Sequence, residues 1–272
     1  MTWLARLLRR DAPSSPADRG EMDLALARER AEAGDYETAL ALWHPLAKAG
    51  HARAQNNIGA CFAEGLGVER DAGMAERWLT LSAAQGDPIG QRNLAALLFK
   101  GEGIEPDFRR ALSLYRAAAE QGDAVAQDML SWMLLEGEEA EPDPVEARLW
   151  AEKAAAAGIA SSMTRIGMLH HNALGTPRDP AEAARWWRRG AERGDADGAA
   201  MLGAALVLGA GAARDPERGL AWLLRAQAGG SALGAAFFPA ARAALDADAQ
   251  ARAEREAAGP LPDVSSAREE AA

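Results

Sequence analysis

Gly50, Gly86, Gly122, Gly158, Gly194 and Gly230 follow one another at a constant step of 36 residues. A period of that size restricts the chain to stacked copies of one small unit, because each copy is too short to bury its own apolar face. Other positions keep the same step. Asp71, Asp107, Asp143, Asp179 and Asp215 are in register, as are Ile58, Leu94, Leu130, Ile166 and Leu202, each followed by a small residue: Gly59, Ala95, Ser131, Gly167 and Gly203. Ala75, Ala111, Ala147, Ala183 and Gly219 form a further series, and Trp78, Leu114, Trp150, Trp186 and Trp222 another. Five full units run from His51 to Gly230.

Each unit translates into local structure. Apolar residues from Ala52 to about Glu64 fall at helical spacing, and the loop Gly65-Leu66-Gly67 stops that helix. Asp71 begins the second helix by accepting hydrogen bonds from free first-turn amides, and Pro144, Pro180 and Pro216 suit the first helical position behind their aspartates. Glu146 and Glu182 stand three residues beyond those aspartates, the spacing of a capping box. The closing glycine suits a left-handed helix end, after which Asp87, Asp123 and Asp195 cap the next first helix, with Pro88 opening one of them. The expected unit is therefore helix, glycine loop, helix, tight turn. Gly59, Gly167 and Gly203 leave room for close helix approach, and the tryptophan series is expected to supply the bulk from the second helix.

At this point the residues carry a resemblance. The stretches NNIGACFAEGLGVERDAGMAERWLTLSAAQG, ending at Gly86, and QRNLAALLFKGEGIEPDFRRALSLYRAAAEQG, ending at Gly122, resemble Sel1-like repeats, relatives of the tetratricopeptide repeats. The resemblance spans Ala52 to Gly230. Upstream, Gly34, Asp35 and Tyr36 through Ala39 and Leu42 look like a shorter tetratricopeptide turn, pairing with a helix around Asp23 to Ala33. What the resemblance implies is an all-α fold, an α-solenoid in which antiparallel helix pairs wind into a right-handed superhelix, acting as a scaffold or adaptor without chemistry of its own. The chain departs from the pattern at two loops: Glu139 replaces the second glycine in the third unit and Ala173 the first in the fourth, so both loops are expected to differ in shape.

The organisation that follows is an amphipathic segment and linker over 1–20, a solenoid over 21–245, and a capping helix and disordered tail over 246–272. Its units fall at 21–50, 51–86, 87–122, 123–158, 159–194 and 195–230, with a partial one at 231–245. Ala232 to Leu245 begins like another first helix, and Asp246 to about Ala258 reads as the charged cap that repeat arrays need. In Met1–Arg10, Trp3, Leu4, Leu7 and Leu8 share one helical side, with Arg6, Arg9 and Arg10 mostly opposite. That pattern fits either docking on an anionic membrane surface or a frayed terminus.

A net charge of -10 argues against general nucleic-acid binding, which needs a positive surface to displace counterions. One cysteine, Cys61, excludes an internal disulfide framework, and the expected location is a reducing cytoplasm, with membrane-peripheral contact through residues 1–10 as the alternative. Cys61 lies in the apolar series with Leu97, Met133, Leu169 and Ala205, as a buried structural thiol would. The Gly-x-Gly loops lack the strand, third glycine and lysine of a phosphate-binding turn. His170 and His171 point about 100° apart on a helix, and neither His44 nor His51 adds a ligand spacing. No metal, no cofactor and no catalytic residue is therefore expected.

If first helices line the inner curve, as the tetratricopeptide resemblance implies, the positions beside the Ile58-Gly59 pair face a concave groove. These are Arg53, Asn56 and Asn57, then Arg92, Asn93, Phe99 and Lys100, then Asp128 and Trp132, then Arg165 and Asn172. Asn57 and Asn93 share a repeat position and offer an amide ladder to an extended peptide backbone. Arg92, Lys100 and Arg165 suit acidic groups, and Phe99 and Trp132 suit apolar anchors. The competing reading is a solvated face with both aromatics packed between helices. The leading functional expectation is a non-catalytic adaptor binding a protein or peptide in this groove. A membrane-peripheral organiser recruited by Met1–Arg10 is the second, and a hydrolase assembled across units a remote third.

Overall fold

The computed structural model describes residues 16–137 and 141–261. Among these residues there are fourteen α-helices, one short 3-10 turn and no strand. They fall into two compact units, one ending at Asp123 and one beginning at Ala124.

The first unit contains α1 (Pro16–Glu32), α2 (Tyr36–Lys48), α3 (Ala52–Glu64), α4 (Ala72–Ala84), α5 (Pro88–Lys100) and α6 (Phe108–Glu120). Each helix packs on the next through α6, and α3 also packs on α5. The second unit contains α7 (Ala124–Glu136), α8 (Pro144–Ala156), α9 (Ala160–Asn172), α10 (Pro180–Ala191), α11 (Ala196–Leu208) and α12 (Pro216–Ala228). There too consecutive helices pack together, and the first helices α7, α9 and α11 touch in sequence. First helices therefore form the tighter side of each unit.

The helix starts are as the sequence predicts. Asp71, Asp107, Asp143 and Asp215 each accept the amide three residues on, and Asp179 accepts those of Ala181 and Glu182. The capping box is not completed, and the reason is local. The amide of each of these aspartates already donates to a carbonyl of the preceding helix, as Asp143 does to Leu134 and Asp179 to His170. Glu146 instead accepts the Trp150 indole N–H at 3.0 Å, and Glu182 pairs with Arg185. One aspartate thus closes the loop behind it through its backbone and starts the next helix through its side chain.

Other expectations are corrected. Ala173 adopts φ 58° and ψ 38°, close to the 74° and 35° of Gly65, and its amide bonds Leu169 just as that of Gly65 bonds Cys61. The loop keeps its shape at this residue, and alanine bears the strain of the left-handed conformation. Glu139 lies outside the described residues. In every unit the residue after the tryptophan series is also buried, and it meets the small residue of the first helix in the first, fourth and fifth. Leu79, Tyr115, Ala151, Trp187 and Leu223 are the buried set, and a Cβ on Gly59, Gly167 or Gly203 would strike Leu79, Trp187 or Leu223 respectively. Of the tryptophan series, Trp150 and Trp222 are buried as well, whereas Trp78, Leu114 and Trp186 are only half-buried. Helix α1 starts at Pro16, so the expected linker gives way to helix before Gly20.

Beyond Gly230 the chain forms a 3-10 turn at Ala235–Phe237, α13 (Phe238–Ala243) and α14 (Ala247–Ala258) rather than a long first helix. Helix α14 packs on α12. Ala253 is buried beside Leu220, Leu223 and Ala241, and Arg252 forks onto both oxygens of Glu217 at 2.8 Å. Burying a side chain such as Ile58 or Leu223 completely stabilises by about 1.5–3 kcal/mol, and helices pack both within each pair and against the next pair of the same unit.

Candidate partner-binding surface

In the first unit the predicted groove residues lie on α3 and α5, and many of their polar groups are bonded to one another. Arg53 reaches Asp87 at 3.1 Å. Asn93 donates to Asn56 Oδ1 at 2.8 Å, and Asn56 donates to Asn57 Oδ1 at 3.2 Å. Arg92 binds Asp123 at 2.8 Å and Asn93 at 3.4 Å. An amide chain thus joins α5 to α3 through Asn56. Phe99 meets Phe108 edge-on at 5.4 Å, the packed arrangement that competes with an anchor role.

What this face leaves open is a cleft of about 740 Å³ whose walls include Leu24, Trp43, Leu66 and Ile89, with Arg53 and Asn57 among its polar groups. Asn57, Leu24, Leu66 and Ile89 are half-buried, so the wall combines reachable apolar carbon with an amide and a guanidinium. A smaller cleft of about 240 Å³ takes in Asn93, Lys100, Glu64 and Glu102. Arg70 bonds Glu102 at 2.5 Å, and that hydrogen bond, with the arginine charge, holds the carboxyl below the ordinary glutamate range.

In the second unit Asp128 gathers three donors. Ser161 lies at 3.0 Å, Ser162 at 2.5 Å and Arg165 at 2.5 Å. Thr164 donates to the capping carboxylate of Asp195 at 2.5 Å. Arg165 is thus held inside the array rather than offered to a ligand. Trp132 is half-buried and Asn172 exposed.

The sequence reading missed a second ladder. Gln85 donates to Gln55 at 2.7 Å, Gln121 donates to Gln91 at 2.8 Å, and Gln55 donates to the Ala47 carbonyl at 3.0 Å. Gln55, Gln91 and Gln127 keep the 36-residue step, a signal present in the sequence. Cys61 is buried as expected, and burial pushes its thiol up to about 11. No group of three or more metal-ligating side chains occurs among the described residues, and none of the described helices is long and apolar enough to cross a membrane. Met1–Arg10 lies outside them, as do residues 262–272 of the expected tail.

Paired helices of fixed length, a recurrent glycine loop and polar ladders between pairs define an α-solenoid of short repeats. Five consecutive Sel1 repeats match at residues 52–87, 88–123, 124–159, 160–195 and 196–231, and the chain belongs to the Sel1 repeat family. Proteins of this family are generally scaffolds for protein–protein interaction. A Sel1 repeat protein from Oxalobacter formigenes is similar at 26% identity, over 86% of this chain and 96% of its own, with a TM-score of 0.77. The protective antigen c5321 of uropathogenic Escherichia coli, described as having an SLR fold, is 21% identical over 88% and 68% of the two chains, with a TM-score of 0.45. A Sel1 repeat protein from Klebsiella pneumoniae is 19% identical over 67% and 91%, with a TM-score of 0.48. No curated protein matches the sequence.

Proposed function

We propose that this protein is a non-catalytic adaptor whose first-helix face, chiefly in the unit ending at Asp123, receives a peptide segment of a protein partner. The observation that carries the reading is the 740 Å³ cleft, walled by half-buried Leu24, Leu66 and Ile89 and edged by Arg53 and Asn57. Such a surface offers an apolar side chain somewhere to sit and gives its backbone or carboxylate a nearby donor. Asn57 and Lys100 remain as contact residues. Arg92, Asn93, Asp128 and Arg165 act mainly by holding helices together, so their replacement weakens binding through the fold.

A photo-crosslinking residue placed at Asn57 or at Lys100 in the native cell tests this. The reading expects a discrete crosslinked protein from these sites and not from Arg77, with the product lost when Ile89→Glu is added. Equal products from Arg77, or products indifferent to Ile89→Glu, overturn the assignment.

A further inference from the structure

Trp150, Trp186 and Trp222 are each followed three residues later by a cation, and Lys153, Arg189 and Arg225 keep the same 36-residue step. They stand near the C-terminal ends of the second helices α8, α10 and α12, all within the second unit. Each lies over its tryptophan, at 3.7 Å, 4.6 Å and 5.1 Å from the ring centre. A positive charge at a helix C-terminus is favourable in itself. The macrodipole does not explain what sits on the third of these cations. Arg225 donates through one nitrogen to the carbonyl oxygens of Glu256 at 2.5 Å, Pro260 at 3.0 Å and Gly259 at 3.4 Å, all at or just beyond the end of α14. Leu261 then approaches Gly194, the glycine that closes the repeat carrying Arg189. A stretch of ordinary chain is therefore seated on one step of the stripe and heads towards the next.

At the other two steps the same equipment is uncovered. Lys153 and Arg189 are exposed and make no ion pair among the described residues. Glu152 is taken by Arg148, and Glu192, half-buried three residues after Arg189, feels the charges of Arg188, Arg193 and Arg189 without closing an ion pair there. Against a chain of net charge -10, this is a local row of cations backed by indole rings. A cation over a ring is held in place, so less freedom is lost when it binds an anion.

We infer that Lys153 and Arg189, with Trp150 and Trp186 beneath them, dock an acidic extended segment of a protein partner. Its backbone carbonyls take the place that Glu256, Gly259 and Pro260 occupy on Arg225, and its carboxylates pair with the two free cations. This surface lies on second helices and is independent of the first-helix cleft proposed above.

The probe is a fluorescein-labelled peptide of sequence EPLEEPLE, titrated with the full chain at low salt and followed by anisotropy, beside the same peptide with every Glu replaced by Gln. We expect saturable binding of the acidic peptide, weakened roughly tenfold or more by the Gln peptide or by combined Lys153→Glu and Arg189→Glu. Ile89→Glu, which disables the other cleft, leaves this binding unchanged, and the charge-reversed chain stays folded at the assay temperature, with a cooperative melt at a somewhat lower midpoint. Failure of the acidic peptide to bind, equal binding of both peptides, or binding indifferent to the charge reversal overturns the inference. So does Arg189-dependent flotation with phosphatidylserine vesicles in the absence of peptide binding, which would make the row a lipid surface.

Discussion

Gly211 lies so close to Pro180 that a Cβ built on it would stand 1.9 Å from the Pro180 carbonyl oxygen. The same approach recurs 36 residues earlier, where a Cβ on Gly175 would stand only 2.6 Å from the Pro144 carbonyl. The loop of one repeat thus rests on the start of the second helix in the repeat before it. Backbone cannot yield as the end of a flexible side chain can, so Gly211→Ala should destabilise the chain by about 2–4 kcal/mol. Gly230 shares the left-handed conformation but has open space around it, so Gly230→Ala should cost only about 1 kcal/mol. Urea unfolding of both variants measures the difference, and equal losses would mean that conformation rather than close approach is what the loop glycine serves.

Ala173 supplies the converse experiment. It is exposed and holds φ 58°, in a register where Gly65, Gly101 and Gly209 hold 74°, 64° and 72°. Ala173→Gly removes the strain but also frees the unfolded chain, so the two effects partly cancel. A net gain of about 0.5–1 kcal/mol is expected, visible as a higher urea midpoint at unchanged slope. A loss would show that the alanine methyl makes a contact worth more than its strain.

Repeat boundaries, helix starts and the capping aspartates were legible because each depends on residues near in sequence and recurs at one step. The polar face was not. Asn56, Arg92, Asp128 and Thr164 occupy equivalent positions with four different chemistries, and no periodic pattern links them. Their partners lie across repeats, as with Arg92 and Asp123 or Thr164 and Asp195, so a side chain read as facing a ligand faces a neighbouring helix. At Trp186 the sequence also pointed one residue away from the one that fills the pocket. Trp186 and Trp187 are adjacent and equally apolar, and only the pocket opposite Gly167 selects the second.

Asp128 and Arg165 show how far such a polar bond matters. Their side chains are 15% and 13% exposed, and Asp128 also takes Ser161 and Ser162. Asp128→Ala strands an almost buried guanidinium and should cost about 2–4 kcal/mol, whereas adding Arg165→Met should recover part of the loss. The exposed pair Arg28 and Glu32 is the comparison, and Glu32→Ala should change stability by less than about 0.5 kcal/mol. Thermal melts of the three variants report the result, with similar losses for both pairs excluding the burial argument.

Cys61 and Tyr115 give the fold an alkaline limit. Burial pushes the thiol from 9.0 to about 11 and the phenol from 10.0 to about 12, the Arg92 charge only partly opposing the latter. For each group the neutral, protonated form is favoured in the folded chain. Below pH 9 both states keep the thiol proton and the linkage is silent. Between pH 9 and 11 the unfolded chain releases that proton while the folded chain retains it, so stability falls as pH rises. The thiol contribution is at most about 3 kcal/mol. Cys61→Ala loses packing at every pH but lacks this slope, so wild type and variant should converge in urea midpoint from pH 9 to 11, while the later loss through Tyr115 persists in both. A constant difference across that range would mean that water reaches the thiol in the folded protein.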